Sequence, residues 1–243
     1  MDNRKFQAGA AASAPVAPSS PSTGYPSNGN PTTGTPATVP GDFWFHQIGE
    51  ELRNVILAAG LTPGTSDLLQ LIKAIQQRSG CVVITTTQTF VVPAFVYRIW
   101  VEVWGGGGGG NGGTGGAGGG GGYAAGFFDV VPGTSYVATI GAGGAIGGSG
   151  GTSSFGVLLS ATGGGPGTAS GGVGGAGTGG DIARVGQRGD DLDGGNSVAF
   201  GGSSPNGGLG EAVVPGLVPG GGGGALSGGS AFAGGRGEII VRY

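Results

Sequence analysis

From Gly105 to Gly122 the chain is glycine apart from Asn111, Thr114 and Ala117, and comparable blocks return at 141–151, 163–180, 201–210 and 220–237. No other feature restricts the fold as strongly. Fixing one residue's backbone costs ~1–2 kcal/mol and glycine loses the most freedom, so ordering the block from Gly105 to Gly122 costs on the order of 20–30 kcal/mol. An isolated loop recovers none of it. Tracts laid side by side as extended threefold helices of polyproline-II geometry, rising about 3.1 Å per residue, could recover it. Every third backbone position would then hydrogen-bond to an adjacent tract, and glycine would be required because no side chain fits between. Collagen is excluded, because the 65 glycines in 243 residues lack its strict every-third period and high proline content.

Short β-type segments stand between the blocks: 123–131, 135–140, 153–159 and 237–243. Residues 81–93 are rich in Val, Ile, Thr and Phe, a β composition. Cys81, with no partner cysteine in the chain, reads as a small buried core thiol. Along 95–104, Trp100, Glu102 and Trp104 share one face and Val101 and Val103 the other. That contrast predicts a strand covered on both sides. Val101–Trp104 is expected to pair with Ile239–Val241, bracketing residues 81–243 as one glycine-rich β domain. The expected fold is mainly β: a β-sandwich whose loops form a bundle of polyglycine-II-like helices, preceded by an extended arm and a helical hairpin.

The arm covers residues 1–41, with prolines at 15, 18, 21, 26, 31, 36 and 40 that deny regular helix or central strand. Such a segment has no core of its own and is expected to lie on a partner protein. The hairpin covers 42–80. Ile48, Leu52, Val55, Ile56 and Ala59 follow helical spacing, with Asp42 suited to the N-cap and Gly60 to the C′ position. A second helix over 67–78 would be capped by Ser66, carry Leu68, Leu71, Ile72 and Ile75 on one face, and end with Arg78 at the negative end of its dipole. Two such helices cannot bury both stripes alone, so self-association is expected here.

Charge and motifs exclude several functions. Only 9% of residues are charged and the net charge is −3, with no basic cluster to hold phosphate, so neither nucleic acid nor membrane insertion is expected. No secretory signal opens the sequence. Arg184, Arg188 and Arg236 are too few and separated for an arginine-glycine RNA binder. Gly-x-Gly-x-x-Gly arises by chance in any glycine tract, and neither Gly-Lys-Ser/Thr nor a following helix is present. His46 is the single histidine, which leaves a histidine-based zinc or catalytic centre without a second ligand and makes helix packing its expected role. The run Asp190, Asp191, Asp193 and Asn196 could offer oxygen ligands to calcium, but it lacks a distal glutamate and reads as a solvated loop. The same carboxylates give a glycosidase only weak support. No cofactor is expected.

Two stretches resemble known proteins. Glu51-Leu52, Val55-Ile56 and Ala59-Gly60, followed by Asp67, Gln70-Leu71 and Ala74-Ile75, are similar to the helical hairpin of bacteriophage tail fibre and tail-associated proteins. The islands Phe90 to Pro93, Val101 to Trp104, Tyr123, Val131 to Tyr136, Ile140 to Gly144, Gly151 to Phe155 and Gly237 to Tyr243 resemble, in order, the glycine-rich domain that ends many phage tail fibre and tail-tip proteins. The stretch 181–219 has no counterpart and is taken as a variable insert. The resemblance implies a homotrimeric virion tail protein without catalytic activity. Its arm would dock onto other tail proteins, its hairpin trimerise, and its distal domain contact a host surface receptor, protein or polysaccharide. In the insert, Asp190, Asp191, Asn196, Phe200, Asn206 and Leu209 are the expected receptor-facing residues, since irregular loops on a rigid scaffold are where binding usually sits. The alternative is a purely structural minor tail component. A depolymerase would additionally have to release sugar.

Overall fold

The computed structural model describes residues 13–19, 24–76, 80–113, 115–192 and 197–243. The chain divides into two compact units, Met1–Arg78 and Ser79–Tyr243. Among the described residues no helix is long and apolar enough to cross a membrane.

In the first unit the proline-rich arm is not featureless. Asn30 and Thr35 exchange backbone hydrogen bonds of 2.8 and 3.0 Å, closing a turn over 31–34 in which the Asn30 side chain accepts the Thr32 N–H at 3.0 Å and Gly34 takes φ 70°. The turn is compatible with the expectation that proline denies regular helix or central strand, because Pro31 suits a turn position that needs no N–H donor. Helix α1, Asp42–Ala58, follows. Its N-cap is Gly41, with no side-chain cap, and Asp42 lies inside the first turn, where its charge still suits the positive end of the dipole. The C-terminal expectation holds. Gly60, at φ 72°, donates to Leu57 at 2.9 Å and Leu61 donates to Ile56 at 3.2 Å, the paired bonds of a Schellman motif.

Helix α2, Gln70–Gln76, starts later than the sequence predicts, and Arg78 lies outside the described residues. Asp67, not Ser66, does the capping: its carboxylate accepts the Leu69 N–H at 2.9 Å and pairs with Lys73 at 2.7 Å. Gln70 ties down the connection, donating to the Thr62 carbonyl at 2.9 Å and accepting the Gly64 N–H at 3.0 Å. The buried positions of α2 are Gln70 and Ala74, one helical turn apart, whereas Leu68, Leu69, Ile72 and Ile75 are exposed. The apolar stripe is therefore left bare.

The second unit is built from β1 Cys81–Ile84, β2 Gln88–Val91, β3 Arg98–Trp104, β4 Tyr123–Asp129, β5 Ser135–Thr139, β6 Ser153–Phe155, β7 Leu159–Ala161, β8 Gly177–Gly179, β9 Ile182–Arg184, β10 Val198–Ala199, β11 Ala225–Leu226 and β12 Glu238–Arg242. Two five-stranded antiparallel sheets, ordered β1-β12-β3-β4-β9 and β2-β5-β6-β7-β8, face each other. Residues 81–93, read as one β region, contribute β1 to one sheet and β2 to the other. The sandwich core joins Ile84, Val101, Val103, Ile239 and Val241 of the first sheet to Phe90, Ala138, Phe155 and Leu159 of the second. Phe155 stands at its centre, 5.2 Å from the Tyr136 ring and 5.7 Å from Phe90.

The expected closure is observed: Val101 is opposite Val241, Val103 opposite Ile239 and Trp104 opposite Glu238. Cys81, expected in the core, is exposed. Alternation decides this, because Val82 and Ile84 face inward and leave Cys81 and Val83 on the outer face.

The glycine blocks are ordered as a bundle. Along 105–111 successive N–H groups turn to different neighbours: Gly105, Gly108 and Asn111 donate to Gly122, Gly119 and Gly116, Gly106 and Gly109 to Gly151 and Gly148, and Gly107 and Gly110 to Gly235 and Phe232. The partner repeats every third residue, as in a threefold polyglycine helix. Carbonyls complete the surround, with Gly106, Gly107 and Gly108 accepting from Gly164, Gly144 and Gly223. Residues 116–122 behave likewise, donating in rotation to the tracts of Gly165, Gln187 and Gly220. A Cβ on Gly107 would stand 2.0 Å from the Gly221 carbonyl oxygen. Nothing but glycine fits there.

Candidate binding surface

Which positions of the bundle can carry a side chain follows from how many tracts surround each one. Residues 105–110, 115–122 and 220–225 are buried throughout, and their side chains are absent or no larger than the methyl group of Ala117 or Ala225. Tracts at the periphery keep glycine only where they face inward. In 171–176 the inward positions are glycine and Val173 points out, 68% exposed. In 185–190 the inward residues are Gly186 and Gly189, while Val185, Gln187, Arg188 and Asp190 are exposed. In 200–203 Gly201 and Gly202 face inward and Phe200 points out, 53% exposed. The bundle thus displays side chains at threefold spacing, roughly 9 Å apart along each tract, on a backbone that cannot yield.

The stretch 181–219 is no appended loop. Strand β9 extends the first sheet by pairing with β4, and 185–190 and 199–204 are tracts of the bundle. Glycine facing inward, rather than any local signal, builds them in. Asp190 and Phe200 come together: the Asp190 N–H donates to the Phe200 carbonyl at 2.9 Å, and its carboxylate accepts the Phe200 N–H at 3.4 Å. Asp191 accepts the Gly171 N–H and an Arg188 guanidinium bond at 2.7 Å. These carboxylates were expected on a solvated loop. They instead bind protein donors, which leaves fewer oxygens for calcium. Asp193 and Asn196 lie outside the described residues.

Asn206 and Leu209 belong to a different part of the surface. Asn206, exposed at φ 52°, sits beside the sandwich, where the neighbouring Pro205 carbonyl accepts the Trp104 indole N–H at 2.9 Å. Leu209 is exposed, and its carbonyl accepts the Leu217 N–H at 3.0 Å. Asp190 bonds to Ala117, six residues up the tract from Tyr123, so the Asp190–Phe200 pair lies ~19 Å along the bundle from the Asn206 end. The predicted residues therefore do not form one cluster. Val173, Val185 and Leu217, exposed on the same periphery, were missed. A sequence signal was available for Val173 alone, a lone large residue between Gly172 and Gly174.

At the sandwich end, the loop carrying Pro205 and Asn206 covers part of the outer face of the first sheet. Trp104 packs on Tyr123 at 5.0 Å, and the Tyr123 hydroxyl donates to Glu102 at 2.8 Å. Burial pushes the Tyr123 phenol above its ordinary value, the Glu102 carboxylate adds to the rise, and Asn206 opposes it. Strand β3 was predicted to be covered on both faces. Its valine face is, but its tryptophan face is covered only at the Trp104 end.

At the far end of the bundle Ala117, Ala199 and Ala225 form a small apolar plug with Leu192. Residues 83–243 match a family described as a glycine-rich domain. No curated protein matches the chain.

Proposed function

The chain belongs to the glycine-rich domain family, and from that premise we propose that it is a bacteriophage tail fibre or tail-tip protein that attaches the virion to the host cell surface. The observation that carries the reading is the periphery of the bundle. A rigid glycine scaffold holds Val173, Val185 and Phe200 outward from the neighbouring tracts 171–176, 185–190 and 199–204, all three exposed among the described residues. Exposed apolar side chains grouped on one surface mark interaction sites. Here the ordering cost of presenting them is met by the backbone hydrogen bonds beneath, so little further entropy is lost on contact.

The bare stripe of the helical hairpin supports the second part of the proposal, a homotrimer assembled through α2. The arm, with Tyr25 and Val39 almost fully exposed, is suited to lie on other tail proteins. No catalysis belongs to this reading. Engagement of Asp190 and Asp191 by protein donors favours a second one, in which the periphery packs against other tail components as a purely structural element and meets no receptor.

Adsorption separates the two. Purified protein added before phage should block attachment, and Phe200→Ser with Val173→Ser should abolish the block while leaving thermal unfolding unchanged. Failure of the wild-type protein to compete, with virions still assembling, would favour the structural reading. Deleting 181–219 is a poor test, because it removes strand β9 and tracts of the bundle.

A further inference from the structure

Strand β3 carries two tryptophans on its outer face, and they meet different surroundings. Trp104 is 4% exposed and its indole N–H is bonded to Pro205. Trp100, on the same face and two positions before Glu102, has no such cover, and its indole N–H has no partner among the described residues. Its ring leans on that of Phe127, its cross-strand partner, with centroids 4.7 Å apart and planes 59° tilted. Arg98 also lies over the Phe127 ring, its guanidinium carbon 4.7 Å from the ring centre. On the opposite flank, Arg242 is the cross-strand neighbour of Trp100. An open groove of about 580 Å³ is lined by these residues together with Ile99 and Tyr243.

The edges of the groove are charged but balanced. Arg98 stands 3.9 Å from Asp129, whose side chain is almost fully exposed, and Arg242 is paired with Glu102. An anion would meet Asp129 and Glu102 as well as the arginines. A purely apolar partner would bury the Trp100 N–H and the Arg98–Asp129 pair without replacing their water, which is unfavourable. A pyranose ring satisfies both demands. Its C–H face is apolar and weakly positive, matching the negative face of an aromatic ring. Its equatorial hydroxyls can donate to a carboxylate and accept from a guanidinium or an indole N–H. The groove volume falls within the roughly 300–1,000 Å³ of ordinary ligand sites.

We infer that this groove binds a neutral saccharide, one pyranose ring stacked on the Trp100–Phe127 ridge and its hydroxyls held by Arg98, Asp129 and the Trp100 indole N–H. The site is distinct from the bundle periphery and does not rest on the attachment reading.

The full chain is titrated with soluble neutral oligosaccharides of glucose, mannose and galactose and with oligouronates, following tryptophan fluorescence and heat. Saturable binding of at least one neutral oligosaccharide is expected. Phe127→Ala and Asp129→Ala should each weaken it about tenfold or more, the loss of one charge-assisted hydrogen bond or stacking partner. Both residues are exposed, so thermal unfolding should not change. Phe200→Ser should leave the affinity unaltered. Absence of binding across the neutral panel, binding confined to uronates, or affinity indifferent to Phe127→Ala and Asp129→Ala would each overturn the assignment. A protein that binds a neutral sugar yet does not compete for phage adsorption keeps the groove and loses the attachment function.

Discussion

Single atoms decide most at the centre of the bundle. Gly107→Ala would place a methyl carbon 2.0 Å from the Gly221 carbonyl oxygen, on a tract hemmed in by backbone on every side. The expected loss is more than about 4 kcal/mol, measured as the shift of the urea unfolding midpoint, against a change within about 0.5 kcal/mol for the outward-facing Ser149→Ala. Equal effects at the two positions would contradict the bundle. Tyr123 makes a second residue-scale prediction. Its folded pKa is raised, so the native state favours the neutral phenol. Stability is then undiminished below the ordinary tyrosine value near 10 and falls as pH rises through the higher folded value. Thermal unfolding should show this alkaline loss, and Tyr123→Phe should reduce it.

At the scale of elements, α2 is a short helix held at its start. A seven-residue helix has little stability of its own, and Asp67 supplies what the sequence lacks by accepting the Leu69 N–H and pairing with Lys73. The Lys73 side chain first, and the Leu69 N–H second, hold the Asp67 carboxyl below its ordinary value. Their contribution is present at neutral pH and disappears as pH falls through that lowered value. Acid titration of helical circular dichroism should therefore show a loss at low pH that Asp67→Asn flattens. The helix pattern was readable in the sequence, but its start was not, because Asp67 and Ser66 are both acceptable caps and only the position of Gln70 against Thr62 and Gly64 chooses between them.

For the whole molecule, the question is what covers the hairpin. Leu68 is 91% exposed, and Ile72 and Ile75 are more than half exposed. A homotrimer would bury them. Sedimentation of the full chain should give three times the monomer mass, and Leu68→Lys with Ile72→Lys should give monomers whose β domain unfolds at the wild-type temperature. A monomeric wild type would remove the trimer. The β domain, by contrast, is closed by the chain itself: β12 lies between β1 and β3, so its two ends meet in one sheet.

Much of this was legible in the sequence because glycine has a single reason to persist in such tracts. The uninterrupted runs at 105–110, 118–122 and 220–224 mark the fully surrounded positions, and Gly-Gly-x runs such as 171–176 mark the periphery, since a side chain survives only where no neighbouring backbone stands. The alternation of Val101 and Val103 against Trp100 and Trp104 likewise showed that β3 has two unlike faces, though not that the tryptophan face is covered at one end only. Tertiary structure alone decided the rest. Which tract lies beside which depends on hydrogen bonds between residues far apart, and one glycine does not distinguish its partner from another. Trp100 and Trp104 look alike in sequence, and only the path of the chain through Pro205 covers one and leaves the other open.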